Sequence, residues 1–198
     1  MPKQVDHDQR RRLIAEAVCR LAARDGLERV SLRTVAREAG ISMGLVQHYF
    51  TTKDEMLVFA FRVMSEGVQR RLEHSMAVLS EPPTTRSMLR TLLLAMLPLD
   101  DESRFESPLW VAFLAHAVHT PSLAEPLRQD SRQLTDFLVD LLRGARETGE
   151  LAGDVDPQAA ALALLGLSDG LMLRVLIDPG SAGLAVQAVD EELTRLFP

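Results

Sequence analysis

Apolar residues return along this chain every three or four positions, the spacing that lines up side chains on one face of an α-helix. No stretch alternates apolar and polar long enough to read as a strand. From about residue 8 to 24, Ile14, Val18, Leu21 and Ala22 make such a stripe, with Asp6 or Asp8 as its cap and Asp25-Gly26 as its stop. Leu32, Val35, Ala36 and Ala39 stripe a short second helix behind Ser31, which has the side chain of an N-cap. Gly40 closes that helix, because a residue without Cβ takes the left-handed conformation at little cost. Ser42 caps a third helix running to about Tyr49.

Longer helices follow. Thr52-Lys53-Asp54-Glu55 has the T-x-x-E spacing of a capping box. Leu57, Phe61, Met64, Val68, Leu72 and Leu79 carry the stripe on for about six turns. "SEPPTT" at 80–85 stops it, since proline lacks a backbone donor and restricts the residue before it. A fifth helix is expected over about 84–97, ending near Pro98 and the acidic loop "LDDES", and a sixth over about 104–118. Thr120-Pro121 and Asp156-Pro157 each place Pro at the first helical position behind a capping residue, opening helices that run to about Gly144 and Ile177. "DPGSAG" at 178–183 precedes the last helix, about 184–197. The expected fold class is all-α, with three short helices and then about six longer ones.

Composition sharpens this reading in four places. Aromatics are only 5% of the residues, so Ala and the aliphatics supply the apolar mass, which suits helices better than sheets. The most apolar run, "AALALLGLSDGLMLRVLI", is interrupted by Ser168, Asp169 and Arg174, which argues against a membrane span. "MPKQVDHDQRRR" has no apolar core, so no secretory signal is expected. Cys19 is alone and is expected as a buried, inert thiol in a reducing cytoplasm.

Charge divides unevenly. Residues 1–54 hold ten Lys/Arg against seven Asp/Glu, a balance of +3, and the rest hold twelve against twenty-one, −9, giving the net −6. A basic head on an acidic body is what a chain shows when one end meets a polyanion. "LRTVAREAGISMGLVQHYF" then supplies the parts of a helix-turn-helix: a short helix, a turn containing Gly, and a second helix small enough for the major groove. At about 100° per residue, Val46, Tyr49 and Phe50 fall on one side of that second helix. Gly44, Gln47 and His48 fall on the other, with Met43 at the border.

Roles follow from chemistry. The Gln47 amide can pair bidentately with adenine, and Met43 can lie against a thymine methyl. His48, the Tyr49 hydroxyl, Arg33, Thr34 and Lys53 suit phosphate contact, which positions a head without reading sequence. Ser31 and Ser42 open the two helices at the same surface, and Gly44 permits close approach of the backbone. Tyr49 could equally be a core residue with a wet tip, and Arg33 a solvated charge.

These residues resemble the TetR family of bacterial one-component regulators. The likeness is carried by "GLERVSLRTVAREAGISMGLVQHYFTTKDEML", Gly26 to Leu57, through the spacing of Gly40, Gly44, Tyr49-Phe50 and Lys53. Most members have Tyr where Gln47 stands, in an "LYxHF"-like string, whereas "GLVQHYF" is similar to the betaine-responsive repressor subgroup. "SDGLMLRVLIDP" at 168–179 resembles the family's penultimate helix. The resemblance implies a DNA-binding head over residues 1–52 and a ligand-binding, dimerising body over 53–198. It implies a cytoplasmic homodimer whose last two helices make the interface, and a repressor released from a double-stranded operator when a small-molecule effector moves the fourth helix.

Pattern alone supports self-association. "DPQAAALALLGLSDGLMLRVLI" is apolar on nearly every side, and a helix of that kind must be buried all round. A second copy covers its outer face more readily than its own chain does; the alternative is a central helix of a monomer. Interface candidates on it are Ala160, Ala163, Leu164, Leu167, Gly170, Leu171 and Arg174, and on the last helix Val186 and Val189.

For the effector, periodicity points Phe61, Met64, Met88, Leu92 and Met96 inward, residues that taken singly are more often plain core than ligand contacts. The same holds for Trp110, Phe113, His116, Leu134, Phe137 and Leu138. Trp110 and His116 combine apolar area with a donor that needs a partner. A quaternary ammonium ligand wants several Trp or Tyr faces, yet the one Trp is Trp110 and the one Tyr lies in the head. A mostly apolar small molecule is therefore expected.

An enzyme would need a nucleophile with its base, a metal cluster or a phosphate loop. His7, His48, His74, His116 and His119 make no H-x-x-x-H pair, and His116-x-x-His119 has no clear carboxylate or Cys beside it. Neither an enzyme nor a cofactor is expected. The remaining alternative is a helical protein-interaction module without specific DNA binding.

Overall fold

The computed structural model describes residues 2–79 and 83–198, with side chains from residue 7 onward. Among the described residues there are nine α-helices and no strand. They are α1 (Pro2–Asp25), α2 (Leu32–Glu38), α3 (Met43–Tyr49), α4 (Lys53–Ala77), α5 (Thr85–Ala95), α6 (Asp101–Ala117), α7 (Pro121–Glu147), α8 (Pro157–Ile177) and α9 (Ala182–Leu196). Single 3-10 turns occupy Leu27–Arg29 and Pro179–Ser181.

Two boundaries differ from the sequence expectation. α1 begins at Pro2, so positions 6 and 8 fall inside the helix rather than ahead of it. The acidic "LDDES" segment is mostly helix, because Asp100 caps α6: its carboxylate accepts from Ser103 N at 2.7 Å, and Ser103 Oγ accepts from Asp100 N at 3.1 Å. The Ser103 N–H foremost, with the Ser103 hydroxyl donating at 2.9 Å, holds the Asp100 carboxyl below its ordinary range. The stop assigned to "SEPPTT" lies partly outside the described residues. Thr84, within it, caps α5 by accepting from Ser87 N.

The chain forms two compact units. The first comprises Met1–Gln69 and Pro108–Arg128. Its core gathers Ile14, Val18 and Leu21 of α1, Val35 of α2, Val46 of α3 and Phe50, all at most 2% exposed. Met56, Leu57 and Phe61 of α4 and Phe113 of α6 complete it. The first turns of α4 bury their apolar stripe in the same core as the helix-turn-helix. Cys19 is partly buried against this core.

The second unit comprises Arg70–Ser107 and Gln129–Pro198. Here α5, α8 and α9 pack on one another. Arg90 pairs with Asp190 through two bonds of 2.6 and 3.0 Å, and Arg86 donates to Thr194 Oγ1 at 2.8 Å, fixing α5 to α9. Arg71 binds Glu102 at 2.9 Å and also Glu106, tying the end of α4 to the start of α6. By length and mean hydropathy (1.8) α8 is apolar enough to cross a membrane. One side of it is instead buried within this unit, through Ala161, Leu164, Leu165, Ser168, Met172 and Val175.

Candidate nucleic-acid interface

The segment from Ser31 to Lys53 is built by caps. Ser31 Oγ accepts from Thr34 N at 3.2 Å while Thr34 Oγ1 accepts from Ser31 N at 2.9 Å, a reciprocal box that starts α2. Thr34 Oγ1 also lies 3.0 Å from the carbonyls of Arg29 and Ser31. The Thr34 hydroxyl thus takes part in the cap that starts α2. α2 ends where Gly40 takes φ 66°, and Ile41 N returns to Ala36 O at 3.0 Å. Ser42 Oγ then accepts from Leu45 N at 3.2 Å and starts α3.

On α3 the division of faces is as the sequence requires. Val46 and Phe50 are sealed at 0% exposure, while Gly44, Gln47 and His48 are open and Met43 is 44% exposed. A Cβ at Gly44 would meet no atom within 4 Å, so the chain's own packing does not demand glycine there. Tyr49 is half-buried, its ring edge-on to His48 at 5.1 Å and to His7 of α1 at 4.8 Å. His7 was not among the candidates; as a lone polar residue in a helix it gives no sequence signal.

The basic residues sort into paired and unpaired. Glu38 accepts from Arg20 at 3.3 Å and from Arg24 at 3.1 Å, and the Arg24 bond foremost holds its carboxyl below the ordinary range. Arg12 pairs with Glu66 at 2.6 Å. Among the described residues, Arg33 and Arg37 of α2 are exposed and have no carboxylate partner. Arg37, at i+4 spacing from Arg33, lies on the same face. Lys53 is half-buried and its Nζ donates to Leu27 O at 2.9 Å, a structural bond that leaves two of its donors uncommitted.

The effector candidates divide between the units. In the first, Phe61 touches Trp110 (centroids 5.6 Å apart) and Phe113 (5.7 Å), with Met64 buried in the same core and His116 half-buried on α6. In the second, Leu92 and Leu138 are buried, and Met88, Met96 and Leu134 are half-buried. Phe137 is 43% exposed and so does not face inward. It lies one residue off the buried stripe of α7, on the face of Gln133, Asp140 and Gly144.

The dimer candidates divide by their burial within the single chain. Leu164 and Val189 are fully buried and Ala160 is buried too, so these side chains hold the unit together. Ala163, Gly170 and Arg174 are exposed, Leu167, Leu171 and Val186 half-buried. What α8 presents to solvent is Leu162 (68% exposed), Gly166, Asp169, Leu173 and Ile177 (85%), a strip at helical spacing. Leu184 of α9 is exposed as well. On α9, Gly183, Val186, Gln187, Asp190, Glu191 and Thr194 line an open groove of about 530 Å³.

Comparison with known proteins covers both units. Residues 14–58 match the family described as bacterial regulatory proteins, tetR family, and residues 85–198 match the BetI-type transcriptional repressor, C-terminal. The HTH-type transcriptional regulator PksA of Bacillus subtilis (strain 168) is 35% identical over 179 residues, covering 90% of this chain and 84% of that protein. The crystal structure of a transcriptional regulator from Rhodococcus sp. Rha1 superposes with a TM-score of 0.82 at 31% identity, covering 94% and 95% of the two chains. That of a regulator from Saccharomonospora viridis in complex with choline does so at 0.84 and 23% identity, covering 96% and 99%, a likeness of fold.

Proposed function

The chain belongs to the TetR family of bacterial regulatory proteins, and from that premise we propose that it is a ligand-responsive repressor binding a near-palindromic operator as a homodimer. One observation carries the DNA reading. The polar side of α3 is open while its apolar side is sealed in the head core, so the helix is free to enter a major groove. In this reading Gln47 reads a base and Met43 lies against a neighbouring methyl. His48, Tyr49, Arg33, Arg37, Ser42 and the spare donors of Lys53 hold phosphates.

The open strip of α8 supports the dimer. Leu162, Leu173 and Ile177 stand in solvent in a single copy, and a second copy provides the apolar surface that covers them. Recognition helices in such a dimer meet half-sites about 34–36 Å apart. The effector is read as mostly apolar. Phe61 packs tilted against Trp110 and edge-on to Phe113, and the single Trp and single Tyr are too few for an aromatic cage around a cation such as the choline held by the Saccharomonospora regulator. The cytoplasm is where such a regulator meets its operator.

Selection of bound duplexes from random DNA, followed by titration in rising salt, tests the reading. A two-fold symmetric consensus and an affinity falling steeply with salt are expected. Weak binding that ignores both sequence and salt would favour the protein-interaction module.

A further inference from the structure

Arg11 occupies a position that none of the DNA or effector assignments uses. Its guanidinium carbon stands 4.8 Å from the ring centre of Phe50 and 4.3 Å from that of Phe59. The rings are 5.5 Å apart. Phe50 is the C-cap of α3, and Phe59 lies two turns into α4. A further contact is long: Nη2 lies 3.8 Å from Glu55 Oε1. Glu55 in turn closes the start of α4, its Oε2 accepting from Thr51 N at 2.9 Å and its own N–H donating to Thr52 Oγ1 at 3.1 Å. One cation of α1 thus touches the end of the recognition helix, the capping box of α4 and the body of α4.

The seat is not that of a permanent strut. Arg11 Nε is closed to solvent and has no acceptor. A buried donor left unpaired is costly, so the cation is held chiefly by ring faces whose attraction falls away with distance. Moving Phe59 with α4 changes that seat, and the Phe50 ring shares it.

We propose that Arg11 is the positioning residue through which the start of α4 sets the pitch of the recognition helix, the guanidinium acting through Phe50 and making no DNA contact itself. This rests on reading α3 as the DNA-reading helix. A residue in this role changes specific affinity without changing the number of phosphates neutralised.

The test uses the full chain with a duplex recovered by selection from random DNA and a scrambled duplex of equal length. Wild type, Arg11→Met, Arg11→Lys, Phe59→Leu and the Arg11→Met/Phe59→Leu double variant are titrated across a salt series. Arg11→Met is expected to weaken binding to the selected duplex by about tenfold. Its scrambled-duplex affinity and salt slope stay those of the wild type. Phe59→Leu acts in the same direction, the double variant is no worse than the poorer single one, and Arg11→Lys, which keeps a charge at the rings, recovers part of the loss.

A salt slope shallower by about 0.9 would make Arg11 a phosphate contact and overturn the proposal. So would equal losses on both duplexes, additive losses in the double variant, or no loss at all. Should Arg11→Met not fold, Arg11→Lys carries the same comparison. A wild type without preference for the selected duplex overturns the reading of α3 itself, a failure visible before any variant is made.

Discussion

Lys53, the first residue of α4, donates from Nζ to the carbonyl oxygen of Leu27 at 2.9 Å, joining the start of α4 to the turn between α1 and α2. The same side chain is proposed to hold a phosphate, so it serves fold and binding at once. Lys53→Ala leaves that carbonyl with its bond from Val30 N at 3.1 Å but removes one net hydrogen bond, and is expected to lower stability by up to about 1 kcal/mol. It is also expected to weaken selected and random duplexes alike, with a salt slope reduced by up to about 0.9. Thermal melting and a salt titration of one preparation check both. An unchanged melting point with a selective loss on the operator would refute both halves.

Gly44 gives a cleaner separation. Because a Cβ there meets nothing in the chain, Gly44→Ala is expected to leave folding unharmed, or to gain up to about 1 kcal/mol from helix propensity. The added methyl instead obstructs whatever approaches α3 from outside, so operator affinity falls. Melting and anisotropy measured together decide it; a variant that binds as tightly as wild type denies that DNA comes close at Gly44.

Gln47 carries sequence preference in this reading. Gln47→Ala is expected to cost about 1–3 kcal/mol against the preferred base pair and much less against others, flattening the consensus at one position of each half-site. Binding to a panel of single-base-pair variants of the operator measures this. Uniform weakening across the panel would remove Gln47 from base reading.

The helix-turn-helix was legible because its rules are local. Ser31, Gly40 and Ser42 announce caps and a left-handed stop by residue type, and Val46 and Phe50 announce the buried side by spacing. What failed to read depends on contacts far along the chain. That Lys53 reaches Leu27, Arg11 the two phenylalanines and His7 the Tyr49 ring follows from how α1 crosses α3 and α4, and no periodicity encodes it. Phe137 misled because an apolar residue next to a buried stripe looks inward until the neighbouring helix is placed. α8 is the limiting case: apolar on every side, it gave no basis for choosing Leu164 or Leu162 as the outward residue, and the structure buries the former and exposes the latter.

That exposed strip also carries Asp169, placed between Gly166 and Leu173 among apolar neighbours. Although it stands on the exposed strip, partial desolvation by its neighbours pushes its carboxyl above the ordinary value of 3.8. A carboxyl raised in the folded state binds its proton more tightly there than in the unfolded chain, so its effect favours folding at acid pH and is lost as the pH rises through the raised value. A second copy laid on α8 removes more water from Asp169 and strengthens the penalty. Asp169→Asn is therefore expected to melt higher than wild type at pH 7, with the gap shrinking toward pH 4, and to dissociate less at low concentration. Comparing the two proteins at each pH cancels the titration of every other carboxylate. Melting curves across that range and sedimentation equilibrium at pH 7 measure both effects. A variant that instead dissociates more readily would mean that Asp169 has found a cation across the interface, Arg174 of the second copy being the exposed one nearest in sequence, and the strip would then be held by charge as well as by apolar cover.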